Sequence, residues 1–304
     1  MHTISVILPV YNGLPYLKES VESVLNQSLH DIEFLILDDC STDGSWEYLN
    51  SLKDDRIRLF RNEKNRGLFY NLNFLIGKSQ KSLIKLWSQD DIMMPAALES
   101  IVKFHNSNDT IGFSYTSVRY IDENSKLIKE LREDTTPAII DKETHARICF
   151  MTGSIAGNIA NVTIAKKAIE KVGLFNESMI ISGDFDMSVR IAEFYDIGFI
   201  KQPLIYLRDH SGQLSRQGKY YIKHIEEDIQ VFNKLFSYLP PPLIKEGRSQ
   251  LRKNKLVFYY TLMLHAFLKG QFKDARSYWK TVGKIDSPVQ ITFSFIKKKF
   301  IPGK

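Results

Sequence analysis

Two pairs of adjacent aspartates, Asp38–Asp39 and Asp90–Asp91, each follow a short apolar run in the first hundred residues. Two neighbouring carboxylates disfavour joint ionisation, and a divalent cation removes that conflict. Mg²⁺ and Mn²⁺ bind one or two carboxylates and complete their shell with phosphate oxygens and water. The Asp90–Asp91 pair therefore predicts a metal site for a phosphorylated ligand. A solvated turn or a helix N-cap is the alternative for this pair.

Other side chains could complete a nucleotide site around these pairs. Asp38 and Asp39 can accept hydrogen bonds from a pyrimidine N–H or a ribose hydroxyl, and Tyr11 is either a base-stacking ring or a half-buried loop residue. Asp184 lies at a predicted helix start, where it is either a general base for a hydroxyl nucleophile or an N-cap. His210 could ligate a metal, donate to a phosphate, or be a surface residue.

The elements that must position these side chains alternate through the first hundred residues. The predicted strands are Ile4–Val10, Phe34–Leu37, Ile57–Phe60 and Ser82–Trp87, and the predicted helices are Leu14–Gln27, Ser45–Leu52, Leu68–Ile76 and Pro95–Phe104. Apolar strands that alternate with helices predict a parallel sheet covered on both faces. Ligands bind at the carboxyl ends of such strands. We therefore expect both acidic pairs at one rim of the sheet.

After residue 104 the pattern changes. Short antiparallel strands are predicted at Ile111–Val118, Tyr120–Ile121 and Lys126–Leu131, followed by a helix at Asp184–Glu193 and a strand at Gly198–Leu207. Only helices are predicted from Tyr220 onward. The sequence thus predicts a catalytic domain at residues 1–217 and a C-terminal helical region at 218–304 for acceptor, oligomer or membrane contact.

Composition and charge are those of a globular protein, with a net charge of +6 and two cysteines. Two cysteines are too few for a disulfide framework and indicate a reducing compartment. No signal-peptide pattern precedes Ile4–Val10, and the longest apolar run is shorter than the roughly 20 residues that span a bilayer. We expect a cytoplasmic protein. The cluster Lys297–Lys299 beside Phe293 suits peripheral contact with the inner face of the plasma membrane, or is a solvated helix face.

A series of short segments, in order along residues 3–215, resembles the family 2 glycosyltransferases. They are Ile4–Asn12, Leu25–Ser28, Leu37–Gly44, Asn65–Gly67 with Asn71, Gln89–Asp91, Gly183–Asp186 with Arg190, and Tyr206–His210 with Ser215. One such motif is weak, whereas the ordered set is specific. The resemblance implies the GT-A fold, a Rossmann-like mixed α/β sheet flanked by helices. The C-terminal α-helical appendage lies outside the resemblance.

The resemblance also implies an activity and a set of site residues. It implies an inverting transferase that uses a nucleoside-diphosphate sugar, expected to be UDP-linked, and a hydroxyl of a growing glycan or lipid-linked saccharide. Such reactions build cell-surface polysaccharides, namely lipopolysaccharide, capsule or exopolysaccharide. Asp184 would be the catalytic base, and Asp91 with Asp90 and His210 would bind Mg²⁺ or Mn²⁺. The implied donor-binding residues are Pro9, Tyr11, Asn12, Asp38, Asp39, Arg66, Asn71 and Asp90.

Two positions depart from the family pattern. Ser88 stands where many relatives carry a further aspartate, and Gly183 stands where relatives often carry glutamate. Both departures concern how the donor is held, since Asp91 and Asp184 are present.

Other classes of protein fit less well. A dinucleotide oxidoreductase needs a Gly-x-Gly-x-x-Gly turn after the first strand, and residues 11–15 offer one glycine and a proline. A nucleotidyltransferase would need a glycine-rich basic loop there. A catalytically inert relative that serves as a binding subunit of a polysaccharide-assembly complex stays open, although the presence of Asp184 with Asp90–Asp91 argues against it. No nucleic-acid partner is expected, and a homodimer is one role open to the appendage.

Overall fold

The structure is a computed structural model, which describes residues 2–129, 134–213 and 220–300. The chain folds into two compact units. The first comprises Met1–Lys142 and Ala156–Gln213, and the second comprises Glu143–Ile155 and Leu214–Lys304. The predicted boundary at 217/218 and the motif residue Ser215 lie outside the described residues. The division into a catalytic and an accessory domain therefore stays a prediction.

The first unit is built on one mixed sheet with the order β3-β2-β1-β4-β9-β6-β10-β5, to which β7 and β8 add at β6 and β10. The strands are β1 (Ile4–Val10), β2 (Ile32–Asp38), β3 (Ile57–Arg61), β4 (Leu83–Leu86), β5 (Ile92–Met93), β6 (Ile111–Ile121), β7 (Leu127–Lys129), β8 (Ile139–Ile140), β9 (Thr163–Ala165) and β10 (Asp196–Arg208). Strands β1 to β4 are mutually parallel, whereas β9 is antiparallel to both of its neighbours. The predicted mixed α/β fold class is confirmed.

Helices cover the sheet and also form the second unit. In the first unit they are α1 (Leu17–Leu25), α2 (Ser45–Ser51), α3 (Leu68–Lys78), α4 (Ala97–Asn106), α6 (Lys166–Val172) and α7 (Gly183–Ala192). The second unit holds α8 (Tyr221–Ser237), α9 (Pro241–Leu251), α10 (Val257–Leu268), α11 (Phe272–Val282) and α12 (Pro288–Phe300), together with α5 (Lys142–Thr152), which begins on the last residue of the first. A π-helical turn, Arg252–Leu256, joins α9 to α10.

The central strands form because their side chains are apolar on both faces. All seven residues of β2 are buried, and so are six of the seven in β1. Burial on both faces leaves no polar alternation, which is why a continuous apolar run predicted these strands correctly. The two strands predicted at 111–118 and 120–121 are one strand, β6. The end of the predicted strand 126–131 lies outside the described residues.

Backbone hydrogen bonds bring the carboxyl ends of the central strands together. The N–H of Asp39 donates to the carbonyl of Val10 at 2.7 Å, and the N–H of Trp87 donates to that of Ile7 at 2.9 Å. The ends of β1, β2 and β4 therefore share one edge of the sheet. This confirms the expectation that the two acidic pairs lie at the same rim.

The second unit packs its helices around aromatic rings. Phe150 of α5 stacks on Phe236 of α8 with ring centroids 5.6 Å apart. The buried Asp228 carboxylate is satisfied by the Lys255 ammonium and the Tyr259 hydroxyl, each at 2.9 Å. Across the described residues, no helix combines the length and the hydropathy needed to cross a bilayer.

Candidate active site

The side chain of Asp39 holds the loop that leads into α3. One carboxylate oxygen accepts hydrogen bonds from the Asn62 amide at 2.7 Å and the Arg66 N–H at 2.8 Å, and the other accepts from the Gly67 N–H at 3.0 Å. Gly67 has φ +86°, a conformation that favours glycine. Asn62 also donates to Asn71 at 2.8 Å. Asp39 and Asn71 are thus buried parts of one network that fixes this loop.

Asp38 is fully buried at the end of β2. One of its oxygens accepts from the Ser41 N–H at 3.1 Å and pairs with the Arg61 guanidinium at 3.3 Å. Arg61 in turn stacks over the Trp46 ring at 4.6 Å. The other oxygen has no hydrogen-bond partner among the described residues. Asp38 therefore stabilises the loop after β2 from a buried position.

Hydrogen bonds from the segments after β2 and β4 hold the loop after β1, in which Tyr11 and Asn12 are exposed. The Gln89 amide accepts from the Tyr11 N–H at 2.8 Å and donates to the Tyr11 carbonyl at 3.1 Å. Asn12 has φ +49°, and its side-chain oxygen accepts from the Thr42 N–H at 2.9 Å. Its backbone N–H donates to the Ser41 hydroxyl at 3.0 Å. The Tyr11 side chain is 49% exposed, as a base-stacking ring requires. Gln89, which belongs to the Gln89–Asp91 motif but had no predicted role, thus couples the loop after β1 to the turn after β4.

The predicted donor residues differ in their access to a ligand. Tyr11, Asn12 and Arg66 are exposed at the rim, and Pro9 and Asp90 are partly buried there. Asp38, Asp39 and Asn71 are buried. The exposed residues can meet a donor as they stand, whereas direct contact by the buried ones stays a prediction.

Asp90 and His210 form a pair at the same rim. The His210 Nε2 lies 2.9 Å from one Asp90 oxygen, and Ser88 donates to the other. His210 Nδ1 accepts from the Gly212 N–H at 3.2 Å, so Nε2 carries the proton in this arrangement. Burial raises the pKa of Asp90, but the contacts with His210 and Ser88 outweigh it and lower that pKa overall. Ser88 thus orients Asp90.

Asp91 lies behind Asp90 and is 1% exposed. One of its oxygens accepts from the Arg208 N–H at 2.8 Å, and the other has no hydrogen-bond partner among the described residues. Burial and the neighbouring Asp90 charge raise the pKa of Asp91 well above its usual value. The pKa of Asp90 is therefore lowered and that of Asp91 is raised, as expected for adjacent like charges.

A buried lysine lies in the strand that leads to the acidic pair. Lys85 of β4 donates to the carbonyls of Ala160 and Val162. Burial lowers the pKa of Lys85 to about 7, while the Asp91 charge opposes that shift. Lys85 was not singled out from the sequence, although a lysine inside an otherwise apolar strand is a signal that could have identified it.

Arg208 fixes the turn that carries the acidic pair. Its guanidinium donates to the Asp90 carbonyl at 2.8 Å and to the Asp122 carbonyl and Ser125 hydroxyl at 3.0 Å each. It also pairs with Glu19 at 2.5 Å. The side chain of Arg208 is 1% exposed, so these contacts hold a buried charge. Arg208 ends an apolar strand two residues before His210, and the Tyr206–His210 motif contains it, but neither feature indicates this role.

Asp184 lies in the first turn of α7, which rests on α3. A Cβ added to Gly183 would lie 2.3 Å from the Phe69 ring, so only glycine allows this approach. A glutamate at position 183 would clash with this ring in the same way. Asp186 pairs with Arg190 at 2.8 Å within the helix and is buried, which leaves Asp184 as the partly exposed carboxylate of the turn.

The described residues contain no group of three or more His, Cys, Asp or Glu side chains arranged to hold a metal ion. Asp90 and His210 together offer one carboxylate and one imidazole. A buried Asp91 oxygen, which has no hydrogen-bond partner in the described part of the chain, lies behind them. This donor set fits Mg²⁺ or Mn²⁺ when a diphosphate supplies the remaining oxygen ligands.

The family model for glycosyl transferase family 2 matches residues 5–163, more than half of the chain. The chain belongs to this family. The resemblance drawn from its motifs is confirmed, and the family together with its relatives supports a transferase enzyme.

Two relatives illustrate the extent of the similarity. An uncharacterized glycosyltransferase of Rickettsia conorii is 33% identical over 221 residues, which are 71% of this chain and 36% of that protein. One of Methanocaldococcus jannaschii is 28% identical over 282 residues, covering 91% of this chain and 84% of that protein. Against the longer Rickettsia relatives, of R. felis, R. conorii and R. bellii, this chain spans about a third of their length, at 31–36%.

Solved structures share the fold. TarS of S. aureus in complex with UDP-GlcNAc matches with a TM-score of 0.74 at 14% identity, over 97% of this chain and 84% of that one. A mannosyltransferase from Pyrobaculum calidifontis in complex with GDP-Man and Mn²⁺ matches with a TM-score of 0.56 at 15% identity, over 98% and 88%. At these identities the likeness shows the GT-A fold alone.

Proposed function

We propose that this glycosyltransferase transfers a sugar, with inversion at the anomeric carbon, from a UDP-sugar to a hydroxyl of a growing glycan or lipid-linked saccharide. The observation that carries the proposal is the Asp90–His210 pair at the rim where β1, β2 and β4 end, beside the exposed Tyr11 ring. An acidic pair and an imidazole can hold a metal that binds a diphosphate, and an exposed aromatic ring can stack on a nucleoside base.

The donor class is supported by the solved neighbours. TarS was solved with UDP-GlcNAc and with UDP, and the P. calidifontis mannosyltransferase with GDP-Man. We propose UDP because TarS has the higher TM-score of the two. In our proposal Tyr11 stacks on the base. The Asp39 network holds Arg66 and Gly67 in place around it.

Asp90 and His210 are the residues that would hold Mg²⁺ or Mn²⁺, with Asp91 behind them. A bound metal supplies Lewis-acid stabilisation of the charge that grows on the departing nucleoside diphosphate. For His210 Nε2 to serve as a ligand, its proton must move to Nδ1, which would break the hydrogen bond from the Gly212 N–H. Binding by His210 should therefore be coupled to the loop that contains Gly212.

Asp184 is our proposed general base. Its carboxylate would take the proton of the acceptor hydroxyl as that oxygen attacks the anomeric carbon on the face opposite the leaving diphosphate, which inverts the centre. The contact between Gly183 and Phe69 fixes the helix start that carries Asp184. The acceptor class that we propose belongs to cell-surface polysaccharide biosynthesis. A lipid-linked acceptor would bring the enzyme to the inner face of the plasma membrane.

Asp184→Asn tests the proposal most simply, because it keeps the size of the side chain and removes the base. Loss of a general base lowers the rate by about 10²- to 10⁴-fold. We expect a fall of that size in the transfer rate, measured as nucleoside diphosphate release in the presence of acceptor, with donor affinity unchanged. Glu193→Gln is the matched control, since Glu193 is an exposed carboxylate next to the end of the same helix. Full transfer activity in Asp184→Asn would remove this assignment.

A further inference from the structure

Helix α12 has two apolar faces, and only one of them packs against the protein. Ile291 is fully buried, and Phe295 contacts the Tyr260 ring at 5.1 Å. Val289, Phe293 and Ile296, which are 63%, 69% and 43% exposed, follow the spacing i, i+4, i+7. That spacing places them in one stripe along the helix, on the face away from Ile291. Most of the stripe is therefore open to solvent, on the side of α12 opposite the packed Ile291.

The turn between α10 and α11 is a second exposed apolar feature of the same unit. Phe267, Leu268 and Phe272 are 56%, 79% and 63% exposed. The rings of Phe267 and Phe272 contact each other at 5.4 Å, so they form a small apolar tip rather than two isolated side chains. Exposed lysines, Lys269 and Lys273, flank the tip.

The charge of the chain is concentrated in these helices. Residues 220–304 carry sixteen Lys and Arg against six Asp and Glu, whereas residues 1–213 carry twenty-three against twenty-nine. Residues 220–304 thus carry +10 and residues 1–213 carry −6, and Arg216 with Lys219 bring the whole chain to +6. Lysine and arginine side chains on α11 and α12 and in the turns beside them are exposed to solvent: Lys269, Lys273, Arg276, Lys280, Lys284, Lys297 and Lys299.

We infer that the exposed face of α10–α12 docks on an anionic lipid surface. Exposed Phe, Leu, Ile and Val among lysines suit an interface in which apolar side chains enter the acyl boundary while ammonium groups meet lipid phosphates. Each Lys or Arg near such a surface adds to binding, so a region at +10 gains more than the chain as a whole at +6. This inference about docking does not depend on the proposed transfer reaction.

A second copy of the chain is a poorer occupant for this face. A two-fold interface would place the same basic surface against itself, and like charges juxtaposed at an interface oppose association. The electrostatic argument therefore favours a lipid surface over self-association.

The test is co-sedimentation of the full chain with vesicles of phosphatidylglycerol and phosphatidylcholine, and with vesicles of phosphatidylcholine alone. We expect binding to the anionic vesicles at about 0.05 M salt and its loss at about 0.5 M, because salt screens exposed charges. The variant Val289→Ser/Phe293→Ser/Ile296→Ser should bind at least about tenfold more weakly. Its matched control is Ile139→Ser/Leu174→Ser/Phe194→Ser, which changes three comparably exposed apolar residues of the first unit and should bind as the wild type does.

The outcomes separate the alternatives. Thermal denaturation of both triple variants shows whether each is folded, and Lys273→Glu/Lys280→Glu tests the charge independently of the apolar stripe. Absence of wild-type binding to anionic vesicles at low salt would overturn the inference, as would wild-type binding by a folded stripe variant. A dimer in sedimentation velocity that the stripe variant dissociates, without vesicle binding, would assign the face to a second copy instead.

Discussion

Replacing Arg208 by lysine probes the support of the acidic pair. The guanidinium reaches the Asp90 carbonyl, the Asp122 carbonyl and the Ser125 hydroxyl at once, which a single ammonium on a flexible stem cannot do. At least two buried contacts are lost. A hydrogen bond contributes about 1 kcal/mol net, and a carbonyl left unpaired costs about 1–3 kcal/mol. We expect the free energy of unfolding to fall by about 3 kcal/mol.

The expected loss is measurable in two ways. In a domain of 150–250 residues, about 1 kcal/mol lowers the melting temperature by roughly 2–4 °C, so Arg208→Lys should melt roughly 6–12 °C lower. Donor binding should also weaken, because the Arg208 side chain positions the backbone of Asp90. Calorimetric titration with UDP and Mn²⁺ at a temperature where the variant is folded measures that second effect.

Arg56→Lys is the control for this prediction. Arg56 also makes several contacts, to Asp54 and the Leu25 carbonyl, but its side chain is 23% exposed. The ion pair is partly solvated, and ion pairs in contact with solvent contribute roughly 0–1 kcal/mol, so this variant should melt closer to the wild type than Arg208→Lys does. If Arg208→Lys melted like Arg56→Lys and bound donor normally, the assigned role of Arg208 would be wrong.

Two further predictions follow from packing and protonation. Gly183→Ala should destabilise the protein by about 1–3 kcal/mol in urea denaturation, because its Cβ would meet the Phe69 ring, whereas Gly77→Ala, with open space around it, should be neutral or stabilising. Burial lowers the pKa of His145 to about 4, below its unfolded value of about 6.5, so the neutral form stabilises the fold above pH 6.5 and that stability is lost as the pH falls toward 4. Over this window the pH dependence of unfolding should be shallower in His145→Leu by about 1.4 kcal/mol per pH unit, and equal slopes for variant and wild type would contradict the assignment.

The sequence predicts the long central strands of the sheet well and the short antiparallel strands poorly. Strands β1 and β2 are long and apolar on both faces, which local pattern alone detects. Strand β9 has three residues and β5 and β8 have two, too few for any periodicity. Helix α5 was missed because its buried face combines His145 and Cys149 with two apolar residues, a weak amphipathic signal.

The sequence predicts which residues lie at the site better than it predicts the hydrogen bonds between them. The apolar pattern of the sequence places Asp38–Asp39 and Asp90–Asp91 at the ends of predicted strands. The topology of a parallel sheet then brings those ends together. Which oxygen meets which donor depends on tertiary geometry. The Asp39 carboxylate faces the N–H groups of Arg66 and Gly67, and the Gln89 amide pairs with the Tyr11 backbone, contacts that no local spacing encodes.

The central claim is that Asp90 and its neighbours bind a nucleoside-diphosphate sugar with the help of a metal. Thermal denaturation with a panel of UDP- and GDP-sugars, with and without Mn²⁺, tests it in wild type and in Asp90→Asn. A ligand at about 100 times its Kd stabilises the folded state by about 2.7 kcal/mol. We predict that a UDP-sugar raises the melting temperature only when Mn²⁺ is present, and that Asp90→Asn abolishes the shift. No shift with any nucleotide sugar, or an equal shift in Asp90→Asn, would contradict the claim.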